Sequence, residues 1–141
     1  MATFSKFNAF VENLAEKVHN LGSDTLKVAL TNTAPAAANS TLSDITQIST
    51  GNGYSSGGTA ATISTSAQTS GTYKLVLADV VFTASGGTIG PFRYAVLYND
   101  TPTSPADPLI GYWDYGSSVT LADTETFTVD FDASAGVLTL A

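Results

Sequence analysis

The side chains able to do chemistry are few and scattered along the chain. His19 is the only histidine, and there is no cysteine, so thiolate catalysis, disulfides and sulfur-ligated metals are excluded together. A Ser-His-Asp triad needs its imidazole in a cleft beside a serine held on a nucleophile elbow, and no such elbow is expected here. His19 falls instead near the end of a segment of helical periodicity, where an imidazole faces the last carbonyls. Asp130 and Asp132 share one face of a candidate strand, and Asp114, Asp123 and Glu125 could join them. A carboxylate pair ~5–9 Å apart hydrolyses glycosides. No aromatic, hydrogen-bonding groove is legible around these residues and no D-x-D-x-D-G calcium loop is present, so a solvated outer face accounts for them. Gly51-Asn-Gly-Tyr-Ser-Ser-Gly-Gly58 imitates a phosphate cradle but lacks the P-loop lysine, and it reads as a flexible turn. The remaining group is aromatic: Tyr112, Trp113 and Tyr115, with Tyr94 and Tyr98. Neighbours on a strand point to opposite faces, so these cannot all be core. An exposed subset would stack on sugar rings or anchor a protein interface.

The element that must position these residues is Ile89 to Asp100, opened by Gly90-Pro91 and closed by Asn99-Asp100. From Phe92 to Tyr98 only Arg93 is charged. A strand that apolar is covered on both faces and belongs in the middle of a sheet. Ahead of it, Phe4, Phe7, Phe10, Val11, Leu14, Val18 and Leu21 recur at three- and four-residue steps. They predict a helix within residues 1–22, capped by Thr3 or Ser5 and ended at Gly22. Residues 25–33 alternate as a half-buried strand. The stretch 34–72 reads as a long loop with one or two helical turns near Leu42 and a weak strand around Ile63, and a connection of that length is a functional arm or contact surface. Residues 73–83 form the longest strand candidate, with a bulge at Asp79, and Ser85-Gly86-Gly87 predicts a hairpin onto the next strand. Pro102, Pro105 and Pro108 mark an exposed, extended loop. Strands follow at 109–115, 119–121, 126–132 and 137–140, with Phe127, Val129 and Phe131 turned inward.

The fold class this predicts is all-β: an antiparallel β-sandwich, jelly-roll-like, over residues 23–141, with one N-terminal α-helix. At 141 residues a single domain is expected, large enough for its own core without metal or disulfide staples. Lys and Arg number 5 against 12 Asp and Glu, a formal net charge of −7, which disfavours direct contact with nucleic acid. Charged residues are only 12 % of the chain, against about 25 % in ordinary domains, so the polar surface is mostly Thr, Ser, Asn and Gly. No run approaches the ~20 apolar residues of a membrane span and no signal peptide is visible, so no membrane contact is expected. No cofactor or metal is implied, and a non-enzymatic role is expected.

Several blocks together carry a resemblance: Asp24-Thr-Leu-Lys-Val-Ala-Leu-Thr-Asn-Thr-Ala-Pro35, Gly51–Gly58, Ile89–Asp100, Leu109-Ile-Gly-Tyr-Trp-Asp-Tyr-Gly116, Phe127-Thr-Val-Asp-Phe-Asp-Ala133 and Gly136-Val-Leu-Thr-Leu140. The chain resembles small structural proteins of tailed bacteriophages, in particular head decoration, or cement, proteins. That resemblance implies a β-sandwich virion protein, made in the host cytoplasm, that coats the capsid exterior. Its partners would be the phage major capsid protein and itself, as a homodimer or homotrimer. The family offers no active-site motif, so no functional residue is carried over. Tail and fibre modules share such patterns, and one binding a host surface glycan or another tail protein is the alternative. The candidate interface residues are Phe4, Phe7, Tyr54, Pro102, Pro105, Tyr112, Trp113 and Tyr115.

Overall fold

The computed structural model describes residues 2–141. In order they form β1 (Ser5–Lys6), α1 (Asn8–Ala15), β2 (Leu26–Thr31), a 3-10 turn (Leu42–Asp44), β3 (Thr59–Ala61), β4 (Ile63–Thr69), β5 (Thr72–Leu77), β6 (Val80–Thr83), β7 (Ile89–Asn99), β8 (Leu109–Leu121), β9 (Thr126–Val129) and β10 (Leu138–Leu140). One sheet is five-stranded in the order β1-β8-β7-β2-β3. Two smaller sheets, β10-β5-β4 and β6-β9, make the opposing layer, and all pairings are antiparallel. The fold is the expected all-β sandwich with a single short N-terminal helix.

β7 shows why. Ala95 and Leu97 face the main core with Leu26, Val28, Leu30, Leu75, Leu77, Val80 and Phe82. Val96 and Tyr98 face a second core on the back of the same sheet, with Ala29, Leu109, Phe7 and Ile45. The apolar run is thus covered on both faces, as its composition demands. From β7·β8 outward the pairs nest: β6 runs against β9, and β5 against β10. One long antiparallel ribbon is therefore folded over itself, which is the wrapping that makes a jelly roll.

Local periodicity misleads at several points. The helix does not span residues 3–22. Ser5 and Lys6 pair with Tyr112 and Gly111 at the sheet edge, and the Phe7 N–H donates to the Ile110 carbonyl at 3.2 Å. Phe7 therefore keeps an extended backbone as the residue before the helix, and neither Thr3 nor Ser5 caps it. The helix stops at Ala15, well before Gly22. Lys17 takes the left-handed conformation (φ 69°), with its N–H donating to the Leu14 carbonyl and that of Val18 to Asn13. This is a Schellman motif with lysine where glycine is usual.

Asp79 marks a change of sheet rather than a bulge: β5 ends at Leu77, β6 begins at Val80, and the Asp79 carboxylate accepts the Phe131 N–H at 2.9 Å. The hairpin expected across Ser85-Gly86-Gly87 does not form, because β6 pairs with β9 while β7 pairs with β2 and β8 in the other layer. The stretch 34–72 is not one loop, since it contains β3 and β4 in different sheets. Its Leu42 and Ile45 lie on the back of the five-stranded sheet, pinned by the Thr41–Asp44 capping box and a Thr31–Gln47 bridge, while Ile48 packs against the main core. The strands expected at 109–115 and 119–121 are one, β8.

Lys17 yields a direct test. Glycine adopts a left-handed backbone without the penalty that a side chain incurs. Lys17→Gly should therefore raise the unfolding free energy by roughly 0.5–1 kcal/mol, read from the denaturant midpoint at unchanged m-value.

Candidate functional site

The reactive side chains are engaged in holding the fold. His19 is only 5 % exposed and stacks at 5.3 Å from the Phe10 ring. Its Nδ1 lies 3.1 Å from Asn99 Nδ2, which also donates to Asp24 Oδ2 at 2.7 Å. An amide N–H aimed at Nδ1 assigns the ring proton to Nε2, and Nε2 is buried without a partner among the described residues. Burial pushes the imidazole pKa below its ordinary value, partly offset by the charge of Asp24. The ring is thus a neutral latch between the segment after α1 and the end of β7. Beside it a cleft of about 440 Å³ is lined by Lys17, Asn20, Asp24, Thr101 and Pro102.

Of the carboxylates singled out, all but the exposed Asp130 are likewise occupied. Asp132 accepts the N–H groups of Ser134 and Ala135, which hold it below the usual carboxylate range. Asp123 accepts from Gly86, and Glu125 from Ala122. Asp114 is held low by the Arg93 guanidinium at 2.7 and 3.0 Å, and then by the Gly116 N–H. Among the described residues no three His, Asp or Glu side chains group so as to hold a metal ion. The letters Gly53-Tyr-Ser-Ser-Gly57 do spell a nucleophile-elbow pattern, against the expectation that none occurs. They lie in an irregular turn between the Gly51–Tyr54 bridge and β3, with no helix following Ser55. The chemistry of an elbow needs a strand-to-helix turn, and that is missing.

One groove does open where the layers part, between β7 and β8 on one side and β9 with residues 130–137 on the other. It holds about 280 Å³ and is walled by Phe4, Phe92, Trp113, Tyr115, Phe127 and Phe131. Phe4 rests against Trp113 at 5.2 Å, and Trp113 meets Phe131 edge-on at 5.5 Å. Phe127 is met edge-on by both Phe92 (4.9 Å) and Tyr115 (5.3 Å). Each such pair adds about 0.5–1.5 kcal/mol beyond the area it buries, so the wall is stiff. Arg93, Asp130 and Asp132 also line it. The groove has a local cause in the ladder. Tyr94 pairs with Asp114, but Phe92 pairs with Val119, so residues 115–118 bulge outward opposite Arg93. Gly116 turns there at φ 99°, and the Arg93–Asp114–Gly116 bonds pin the bulge. Tyr115 is thereby pushed to the rim, 57 % exposed.

Phe4, Trp113 and Tyr115 therefore converge on this groove. Tyr112 points to the back face against Phe7, at 5.2 Å. Pro102 is half-buried by the His19 cleft, and Pro105 is exposed at its turn. Two candidates are unavailable as contacts. Phe7 is fully buried, because edge pairing of Ser5–Lys6 turns it into the second core. Tyr54 is 2 % exposed, since its hydroxyl accepts the Leu30 N–H at 3.1 Å and donates to Gln47 Oε1 at 2.8 Å. Sequence reading missed Phe92, Phe127 and Phe131 as groove walls, because their alternation signals only an inward face. Set against protein-family models, curated proteins and solved structures, the chain matches none of them.

Tyr54→Phe leaves the buried Leu30 N–H unpaired and should cost roughly 1–3 kcal/mol in chemical denaturation. For His19, a lowered native pKa means that the unfolded chain binds the proton more readily. Its contribution to stability is complete above about pH 6.5 and is lost as pH falls below that value. The Tm of the wild type should thus drop between pH 7.5 and pH 5.5 by more than that of His19→Gln, with both followed by circular dichroism (the pH pair brackets the ordinary imidazole value of about 6.5).

Proposed function

We propose that the protein is a non-enzymatic structural component of a tailed-phage virion, a head decoration protein that coats the capsid exterior and binds the major capsid protein. The observation that carries this reading is the convergence of Phe4, Trp113 and Tyr115 on one apolar groove at the mouth of the sandwich. The virion setting comes from the resemblance of the strand blocks, and the sandwich fold agrees with it. Aromatic side chains at the edge of a rigid β scaffold are the type of surface that anchors protein contacts. Support also comes from Asp123, Glu125 and Asp132, whose carboxylates are occupied with backbone N–H groups. Each copy buries a modest patch on neighbouring capsid subunits. Because many copies act together, expansion of the shell has to break several contacts at once.

A second reading uses the same groove. Aromatic walls with Asp130 and the Arg93–Asp114 pair nearby have the make-up of a sugar-stacking cleft. This favours a tail or fibre module that binds a host surface glycan.

The two readings separate by experiment. Capsids lacking the protein should bind it when it is added back, and should then retain packaged DNA through heating that empties bare capsids. Tyr115→Ser should weaken capsid binding by at least about tenfold, equivalent to 1.4 kcal/mol, while lowering Tm by only a few degrees through loss of the Tyr115–Phe127 contact. Absence of wild-type binding to the shell, or no gain in heat resistance, rules the head role out. Glycan-array binding lost in Trp113→Ala would move the assignment to the tail.

A further inference from the structure

The open strand edges of the sandwich are guarded unequally. β1 is two residues long and carries Lys6, β10 has three residues, and the four-residue β6 and β9 are flanked by Asp79, Glu125 and Asp130. β3 and β4 differ from these. β3 is the outer strand of the five-stranded sheet and β4 the outer strand of the three-stranded one. Only Thr62 separates them, so both open edges lie on one side of the molecule. From Ile45 to Tyr73 there is no Asp, Glu, Lys, Arg, His or Pro. β4 is seven residues long, and Ser64, Thr65, Ala67, Gln68 and Thr69 are all exposed. One irregularity, between Ile63 and Thr65, leaves Thr65–Thr69 in a regular ladder with β5 and with no neighbour on the other side. Folded proteins guard such an edge with charge, proline or a bulge in its middle, because it is a template for another strand. Here the middle is bare.

We propose that this edge is the surface through which two copies of the chain associate. β4 pairs antiparallel with β4 of the second copy across a two-fold axis near Ser66 and Ala67, joining two three-stranded sheets into one of six strands. Charge singles out the occupant. Each copy carries a net charge of −7, so two copies repel wherever their acidic surfaces meet. The uncharged β3–β4 side is where approach costs least. A partner of strong charge finds nothing complementary there. A Ser, Thr, Ala and Gln edge presents the same donors and acceptors to itself, which is the requirement of an isologous two-fold contact. Lys74, the nearest charge across the ladder, is drawn away, with its Nζ donating to the Ser134 carbonyl at 2.8 Å. This inference stands on the edge and its charge alone, whether or not the virion reading holds.

Sedimentation velocity of the whole chain should show a species of twice the 14.5 kDa chain mass. Ala67→Lys puts like charges opposite each other at the axis and should weaken association roughly tenfold. Val11→Lys, at an exposed position on α1, should leave association unchanged. Amide exchange of the wild type supplies a readout independent of any variant. Residues 64–68 should exchange more slowly at high protein concentration than at low, and the β10 amides should not. A wild type that stays monomeric at its solubility limit overturns the proposal. So does a dimer that is indifferent to Ala67→Lys, or β4 exchange that is independent of concentration.

Discussion

The structure depends on one constraint: a strand with apolar side chains on both faces must be covered twice. β7 meets that constraint by serving two cores, and the rest of the chain is distributed to supply them. The nested ribbon β5, β6, β9 and β10 covers one face. The other is closed by pieces whose spacing reads as helical and not as cover for a sheet, namely Phe7, Ile45 and the Leu42–Asp44 turn. Those pieces hold because their backbones are pinned to the sheet, through the Ile110 carbonyl and the Thr31–Gln47 bridge. An N-terminal segment that would otherwise run on as a helix is thereby made into an edge strand followed by two turns of helix.

The same economy explains why so little free chemistry remains. With charged groups at 12 % of residues, most polar side chains near the core are spent on backbone groups that secondary structure leaves unpaired. The Thr31 hydroxyl donates to the Thr46 carbonyl and accepts the Thr33 N–H, Tyr54 serves the Leu30 N–H, Tyr98 donates to the Gly57 carbonyl at 2.7 Å, and Asn99 joins His19 to Asp24. What is left over is surface, and its most distinctive part is the aromatic groove opened by the bulge in β8.

Where a segment's neighbours in sequence are also its determinants, the letters were enough. β7 and the alternation of Phe127, Val129 and Phe131 could be read directly, because burial on one or two faces is written into a period of two. The sandwich class followed from them. β2 was legible as a strand but not as one buried on both faces: Ala29 and Thr31, which its alternation puts on an open side, are fully buried. The errors lie where a distant partner decides. Phe4, Phe7 and Phe10 keep a helical spacing, yet β8 captures the first two. Asp79 breaks the strand phase because its carboxylate serves Phe131 in another element. Tyr54 sits in a glycine-rich turn that looks exposed, and only the fold shows that Gly58 packs against the Val28 carbonyl, where a side chain has no room. The groove was half legible: its Tyr and Trp were singled out, but the bulge that exposes Tyr115 depends on the β7–β8 register.

The nesting of β7·β8 within β6·β9 within β5·β10 also has a kinetic meaning. Closing the outermost pair directly from the open chain means joining Leu75 to Leu138, a large loop for one short ladder. Once the innermost hairpin exists, each outer pair closes a loop already shortened by the pair inside it. Loop-closure entropy therefore favours zippering from the centre outward, and the route to the native state is steered by topology more than by any single strong contact.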